Sequence, residues 1–160
     1  MAKTFVAYFS ASGSTAKVAK DLAAATGADL FEIAPEQPYT TADLNWQDKQ
    51  SRTTIEMNDE TCRPAIAGTV ADMDAYDTVF VGFPVWWYVE PRIIDTFLEG
   101  YDFADKTVVP FATSGGSGLG KAPQRMQAIV HEAKVLAGGV LNGGPSQEKL
   151  AAWAEEALQA

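Results

Sequence analysis

Apolar positions along this chain follow two patterns that alternate. Residues 5–9, Phe-Val-Ala-Tyr-Phe, form a nearly continuous apolar run. The run is too short for a globular helix and rich in aromatic and β-branched side chains, so it predicts a strand buried on both faces. Directly after it, Val18, Ala19, Leu22 and Ala23 recur at helical spacing and make one apolar helix face. Gly27 is placed to cap that helix.

The alternation continues down the chain. Residues 29–33 read as a short second strand ended by Pro35 and Pro38. Residues 77–83 and 106–112 read as the third and fourth strands. Residues 134–140 are a weak fifth, interrupted by Gly138 and Gly139. Pro91 suits the first turn of a helix whose buried face is Ile93, Ile94, Phe97 and Leu98. A further helix carries Met126, Ile129, Val130 and Ala133. Ser146 caps a last one, with Leu150, Trp153, Ala154, Ala157 and Leu158 on one face. Ile66, Val70 and Met73 also fit helical spacing. Between 35 and 64 the periodicity is lost, and a long excursion with one short helix near 41–50 is expected. Such a segment is either an edge of a functional site or a variable surface insertion.

Strands alternating with amphipathic helices predict an α/β fold with a parallel sheet covered on both faces. In such a sheet a ligand sits beyond the carboxyl ends of the strands, where the strand order reverses. At 160 residues the chain fits one domain, 1–160. No apolar run nears the roughly 20 residues that cross a bilayer, and the first residues show no signal-peptide organisation. With Cys62 alone there is no internal disulfide. A cytoplasmic location is expected. The net charge of −9 argues against nucleic acid as a partner, because phosphate contacts need clustered Lys and Arg. It permits steering toward a basic protein surface.

Candidate chemistry lies in three loops, those after strands one, three and four. The first holds Ser10, Ser12, Ser14 and Thr15 around Gly13, between a buried strand and a helix start. Unpaired N–H groups there carry partial positive charge, a ready site for a phosphate. The alternative is that Ser14 or Thr15 is simply an N-cap. The second loop offers Pro84, Val85, Trp86, Trp87 and Tyr88, flat apolar groups able to cover a ring system, or else to pack a core or an interface. The third, 113–120, is small and glycine-rich, with Thr113, Ser114, Gly115, Gly116 and Gly118. Residues 115–121 spell Gly-x-x-x-x-Gly-Lys, but Ala122 stands where a nucleotide-triphosphate loop needs Ser or Thr, so that match is a coincidence. His131 reads as a helix-surface residue. The pairs Asp72/Asp74 and Glu155/Glu156 read as solvated surface, and no catalytic residue or metal site is expected.

Ser10-Ala11-Ser12-Gly13-Ser14-Thr15 resembles the hydroxyl-x-hydroxyl-Gly-x-Thr phosphate loop of flavodoxins. Gly82-Phe83-Pro84-Val85-Trp86-Trp87 with Pro91 resembles the second loop of a bacterial flavodoxin-like subfamily. So do Phe97-Leu98-Glu99, Tyr101-Asp102-Phe103, Lys106, Pro110-Phe111 and Thr113-Ser114-Gly115-Gly116. The resemblance implies a flavodoxin-like three-layer α/β/α sandwich on a five-stranded parallel sheet of order 2-1-3-4-5, and a bound FMN. It implies that Ser10, Ser12, Gly13, Ser14 and Thr15 hold the phosphate. Residues 84–88 would then line the isoalloxazine, and Thr113 to Gly116 with Gly118 would meet the ribityl chain or ring edge. The small third loop departs from the tyrosine-bearing loop of electron-carrier flavodoxins. The expected function is electron transfer between soluble redox proteins. The alternatives are an FMN-dependent NAD(P)H:quinone-type oxidoreductase and a flavin-binding module for regulation or storage.

Overall fold

The computed structural model describes residues 3–11, 13–87, 89–113, 118–142 and 144–159. Strand β1 (Thr4–Tyr8) lies inside a parallel sheet, and its last four residues are buried, as the apolar run requires. Its neighbours are β2 (Asp29–Glu32) on one side and β5 (Thr78–Pro84) on the other. Beyond β5 comes β6 (Thr107–Thr113), and then a broken edge made of β7 (Lys134–Val135) and β8 (Gly139–Val140). Counting the two edge pieces as one strand, the order is 2-1-3-4-5, as expected.

Alternate strand residues feed two cores. Phe5, Ala7, Phe9, Val79, Val81 and Phe83 point to one face, where α3 (Arg92–Glu99) and α4 (Ala122–Ile129) lie side by side. Val6, Tyr8, Phe80, Val109 and Phe111 point to the other, under α1 (Ser14–Thr26) and α5 (Gln147–Gln159). Position 82 shares that second face with Phe80 by strand alternation, and it is glycine because the Phe111 ring occupies its side-chain space; an added Cβ would lie 2.2 Å from the ring. The expected buried face of α3 is buried throughout. On α5, Leu150 and Ala154 are buried while Leu158 is exposed, and Ser146 Oγ accepts from the Lys149 N–H.

The edge strand is interrupted for a physical reason. Thr107 and Val108 pair with Lys134 and Val135, but Phe111 and Ala112 pair with Gly139 and Val140. The edge therefore uses one residue more than β6 across this span, a bulge. Opposite it is Pro110, which has no N–H to offer a neighbour. Gly138 takes φ +65 there, and a Cβ on it would stand 1.8 Å from the Pro110 carbonyl oxygen.

Several expectations are corrected. The excursion has its helix at α2 (Arg52–Met57), after the Ser51 N-cap, not near 41–50. In 41–50 the side chains of Asp43, Asn45 and Asp48 accept from the N–H groups of Thr40, Gln47 and Gln50, an alternative to helical bonding. The helix expected through Ile66, Val70 and Met73 is absent. Ile66–Ala67 (β4) instead pairs antiparallel with Ala34–Pro35 (β3), Gly68 turns at φ +85, and only a 3₁₀ turn forms at Met73–Ala75. Helix α4 stops at Ile129 because the Gln127 amide bonds the Val130 and Ala133 carbonyls and accepts from the Val135 N–H. His131 is thus exposed in a turn, not on a helix.

Candidate cofactor site

The loop after β1 starts alongside β5, where the Phe9 N–H donates to the Gly82 carbonyl at 2.9 Å. Gly13 is the N-cap of α1, in the left-handed region at φ +96, so neither Ser14 nor Thr15 caps the helix. A side chain there would be strained, which is the local reason for glycine. The Gly13 N–H donates to Ser10 Oγ at 3.0 Å, and the Gly13 carbonyl accepts the first helical bond, from Lys17. The cap has no side chain to satisfy the N–H groups of the first turn, and no acidic residue stands in that turn. An anion is the natural partner for such a start. Lys17 bonds Asp21 on the helix surface at 2.9 Å, so the loop works with dipoles and hydroxyls.

Thr15 and Thr113 meet across the sheet edge. Their hydroxyl oxygens are 2.7 Å apart and buried, tying the start of α1 to the end of β6. Two residues expected to face a ligand are therefore each other's partners. Thr15→Val should destabilise the protein by about 1–3 kcal/mol, because it leaves the Thr113 hydroxyl buried without its partner. The double variant with Thr113→Val should recover most of that loss in urea unfolding. Additive losses would show that the two hydroxyls do not interact.

The loop after β5 leaves Pro84, and the Val85 N–H donates to the Thr113 carbonyl at 3.0 Å. Trp86 and Val89 then exchange two backbone bonds of 3.1 Å, closing a tight turn. Trp87 sits at its tip at φ +52 and is 43% exposed, an uncommon conformation for so large a residue. The adjacent tryptophans thus part company. Trp86 packs edge-on against Phe9 (ring centroids 5.5 Å apart) and Tyr39 (5.6 Å), whereas Trp87 stands clear.

Tyr39 comes from the excursion and is a wall that sequence reasoning missed. Its hydroxyl donates to Glu56 Oε1, and the Arg52 guanidinium lies 3.8 Å from the ring centre while bonding Glu56 and the Gln37 carbonyl. Burial, then the bond to Glu56, pushes the Tyr39 hydroxyl well above its ordinary range, so it remains a donor. An aromatic beside Pro38 in a polar stretch was the only signal for it.

Ser10, Gly13, Ser14, Thr15, Pro84, Val85, Trp86, Trp87 and Thr113 therefore gather at one end of the sheet. Gly118 is exposed, and an added Cβ there meets nothing within 4 Å. Ser12, Tyr88, Ser114, Gly115 and Gly116 lie outside the described residues. Among the described residues no cluster of three or more His, Cys, Asp or Glu could hold a metal, and no helix is long and apolar enough to cross a membrane.

A parallel 2-1-3-4-5 sheet with an uncapped helix start and an aromatic turn at its carboxyl edge is the architecture of a flavodoxin-like α/β protein. The flavodoxin family model matches residues 3–157, and the chain belongs to that family. Crystal structures similar to it include a protein assigned as a flavoprotein from Bacteroides eggerthii, 46% identical over 99% of both chains, TM-score 0.93. Another, from Bacteroides uniformis, is 46% identical over 96% of this chain and 98% of that one, TM-score 0.91. A Lactobacillus acidophilus flavoprotein in complex with FMN is 23% identical over 96% and 99%, TM-score 0.71. No curated protein matches the chain.

Proposed function

We propose that the protein binds FMN at the carboxyl edge of β1, β5 and β6 and carries electrons between soluble redox partners. The observation that carries this reading is one juxtaposition. The uncapped start of α1, with Gly13 left-handed, is bonded through Thr15 and Thr113 to the strand end beside the Trp86–Val89 turn. The donor set fits a phosphate, since nothing acidic stands in the first helical turn. The exposed Trp87 ring of that turn suits a flat heterocycle. Family membership and the FMN complex of the Lactobacillus flavoprotein support the same choice.

In this reading Ser10, Ser12, Gly13, Ser14 and Thr15 hold the phosphate by hydroxyls and backbone N–H groups. Residues 84–88 flank the ring, with Trp86 braced by Phe9 and Tyr39. Thr113, Ser114, Gly115, Gly116 and Gly118 face the ribityl chain. Bound FMN would supply one- and two-electron redox chemistry, tuned by these contacts. The protein's part is to orient the cofactor and exclude water from its inner face.

Ser12→Ala with Ser14→Ala should weaken FMN binding by about 0.5–1.5 kcal/mol per lost hydrogen bond, more where the phosphate charge assists. Quenching of flavin fluorescence on titration measures it. Unchanged affinity removes the phosphate-loop assignment. Stopped-flow mixing of the flavin-loaded protein with NADPH alone tests the carrier role. Slow bleaching is expected, and bleaching at turnover rates would make the protein an FMN-dependent NAD(P)H oxidoreductase instead.

A further inference from the structure

All seven buried side-chain nitrogens and oxygens that lack a hydrogen-bond partner among the described residues belong to one cluster behind the aromatic turn. They are both carboxylate oxygens of Glu90 and of Asp95, and one nitrogen each from Arg63, Arg92 and Arg125. Glu90 and Asp95 are wholly buried. Buried polar atoms are normally paired, so such a concentration needs a cause.

The cluster joins the aromatic turn, the excursion, α3 and α4. Glu90 directly follows the 86–89 turn. Arg92 and Asp95 start α3, and Arg92 donates to the Glu56 and Met57 carbonyls at the end of α2 in the excursion. From α4, Arg125 reaches Glu60 of the excursion at 3.2 Å, Glu90 at 3.5 Å and Asp95 at 3.8 Å. Arg63, also of the excursion, pairs with Glu99 at 2.8 Å and lies 3.9 Å from Asp95.

The lack of donors identifies the missing element. Arg125 stands within 4 Å of both Glu90 and Asp95, yet among the described residues none of the four carboxylate oxygens receives a hydrogen bond. An ionised Glu90 beside Asp95 would be a second buried carboxylate without a donor. A proton on Glu90 removes that charge and supplies the donor that Asp95 lacks. We propose that Glu90 and Asp95 share one proton as a pH-sensitive clamp, which holds the excursion, the aromatic turn and α4 together and releases them when the proton leaves to solvent. The clamp rests on the flavin reading only in what it closes over. Burial first, and then the bond to Asp95, push Glu90 up to about 9, from an ordinary 4.5.

Because the folded value is the higher one, the pair's stabilisation is complete below about 4.5 and is lost as pH rises through about 9. Between those limits the folding constant should fall by up to about tenfold per pH unit. Glu90→Gln keeps a donor for Asp95 but cannot ionise. The test uses flavin-free protein, so its failure leaves the FMN reading standing, and a protein that never takes up FMN could still pass it. Urea unfolding and limited proteolysis of residues 36–65 are followed against pH for both proteins. The wild type should lose stability relative to Glu90→Gln and be cut progressively faster; parallel profiles overturn the proposal. Should the variant not fold, infrared spectra of the unsubstituted protein decide whether the proton is there. A protonated-carboxyl band at neutral pH must fade across about pH 9, where the rise in cutting, normalised to a peptide substrate, levels off. Absence of the band, or cutting that does not rise between about pH 4.5 and about pH 9, overturns the clamp.

Discussion

Phe9→Ala is expected to lower the unfolding free energy by about 3–5 kcal/mol, the range for deleting a buried aromatic ring. Phe9 is 1% exposed and follows directly on β1. Its ring meets both Tyr39 and Trp86 edge-on. Losing it leaves a cavity and removes the surface on which the excursion and the aromatic turn meet. Urea unfolding followed by tryptophan fluorescence measures the loss. FMN titration of the folded variant should show weakened binding as well, because Trp86 would no longer be braced. Tyr39→Phe is the comparison: it keeps the ring contacts and loses only the bond to Glu56, for about 1.5–3 kcal/mol where the acceptor is charged. A Phe9→Ala loss below that of Tyr39→Phe would mean the three rings do not form one unit.

Gly138→Ala should remove about 2–4 kcal/mol, and the effect reaches the site from its far edge. Two terms add: an L side chain in the left-handed region costs about 1 kcal/mol, and overpacking against atoms that cannot yield costs about 1–3 kcal/mol. The obstruction is backbone, since the new Cβ would stand 1.8 Å from the Pro110 carbonyl oxygen. To relieve it β8 must withdraw from β6, next to Thr113 and its bond to Thr15. Gly27→Ala supplies an internal control. Gly27 has nearly the same φ, +69, but nothing within 4 Å of its added Cβ. It should lose the strain term alone. Equal urea midpoints for the two variants would rule out the close approach at Gly138.

Much of the fold was legible because the parallel strands are buried on both faces, so 5–9, 79–83 and 108–112 appear as nearly continuous apolar runs. The loops at the carboxyl edge of the sheet were legible for the opposite reason, as abrupt changes to hydroxyl, aromatic or glycine residues. What failed was local. In 41–50 a short helix was expected without any periodicity to place it, and Asp43, Asn45 and Asp48 satisfy backbone N–H groups with their own side chains. At 66–73 three apolar residues fell at helical spacing by chance, while Gly68 turned the chain. The Glu90–Asp95 cluster was invisible because its charges come from positions as distant as Arg63 and Arg125. Each alone reads as an ordinary solvated charge, and only the sheet order brings them together. The separate fates of Trp86 and Trp87 depend likewise on Tyr39 arriving from the excursion.

The pairing of β3 with β4 has a consequence for how such chains diversify. Ala34–Pro35 and Ile66–Ala67 lie side by side, so the excursion leaves and re-enters the sheet framework at one point. Closing a loop there becomes only slowly less favourable as the loop lengthens, by about 0.6 kcal/mol per doubling. The segment is thus a cassette: it can be exchanged, shortened or extended between fixed ends without disturbing strand register. Since it also delivers Tyr39 to the aromatic turn, each exchange would present a different face to whatever approaches there. A stable flavodoxin-like scaffold could in that way acquire new specificities by trading a single stretch of chain.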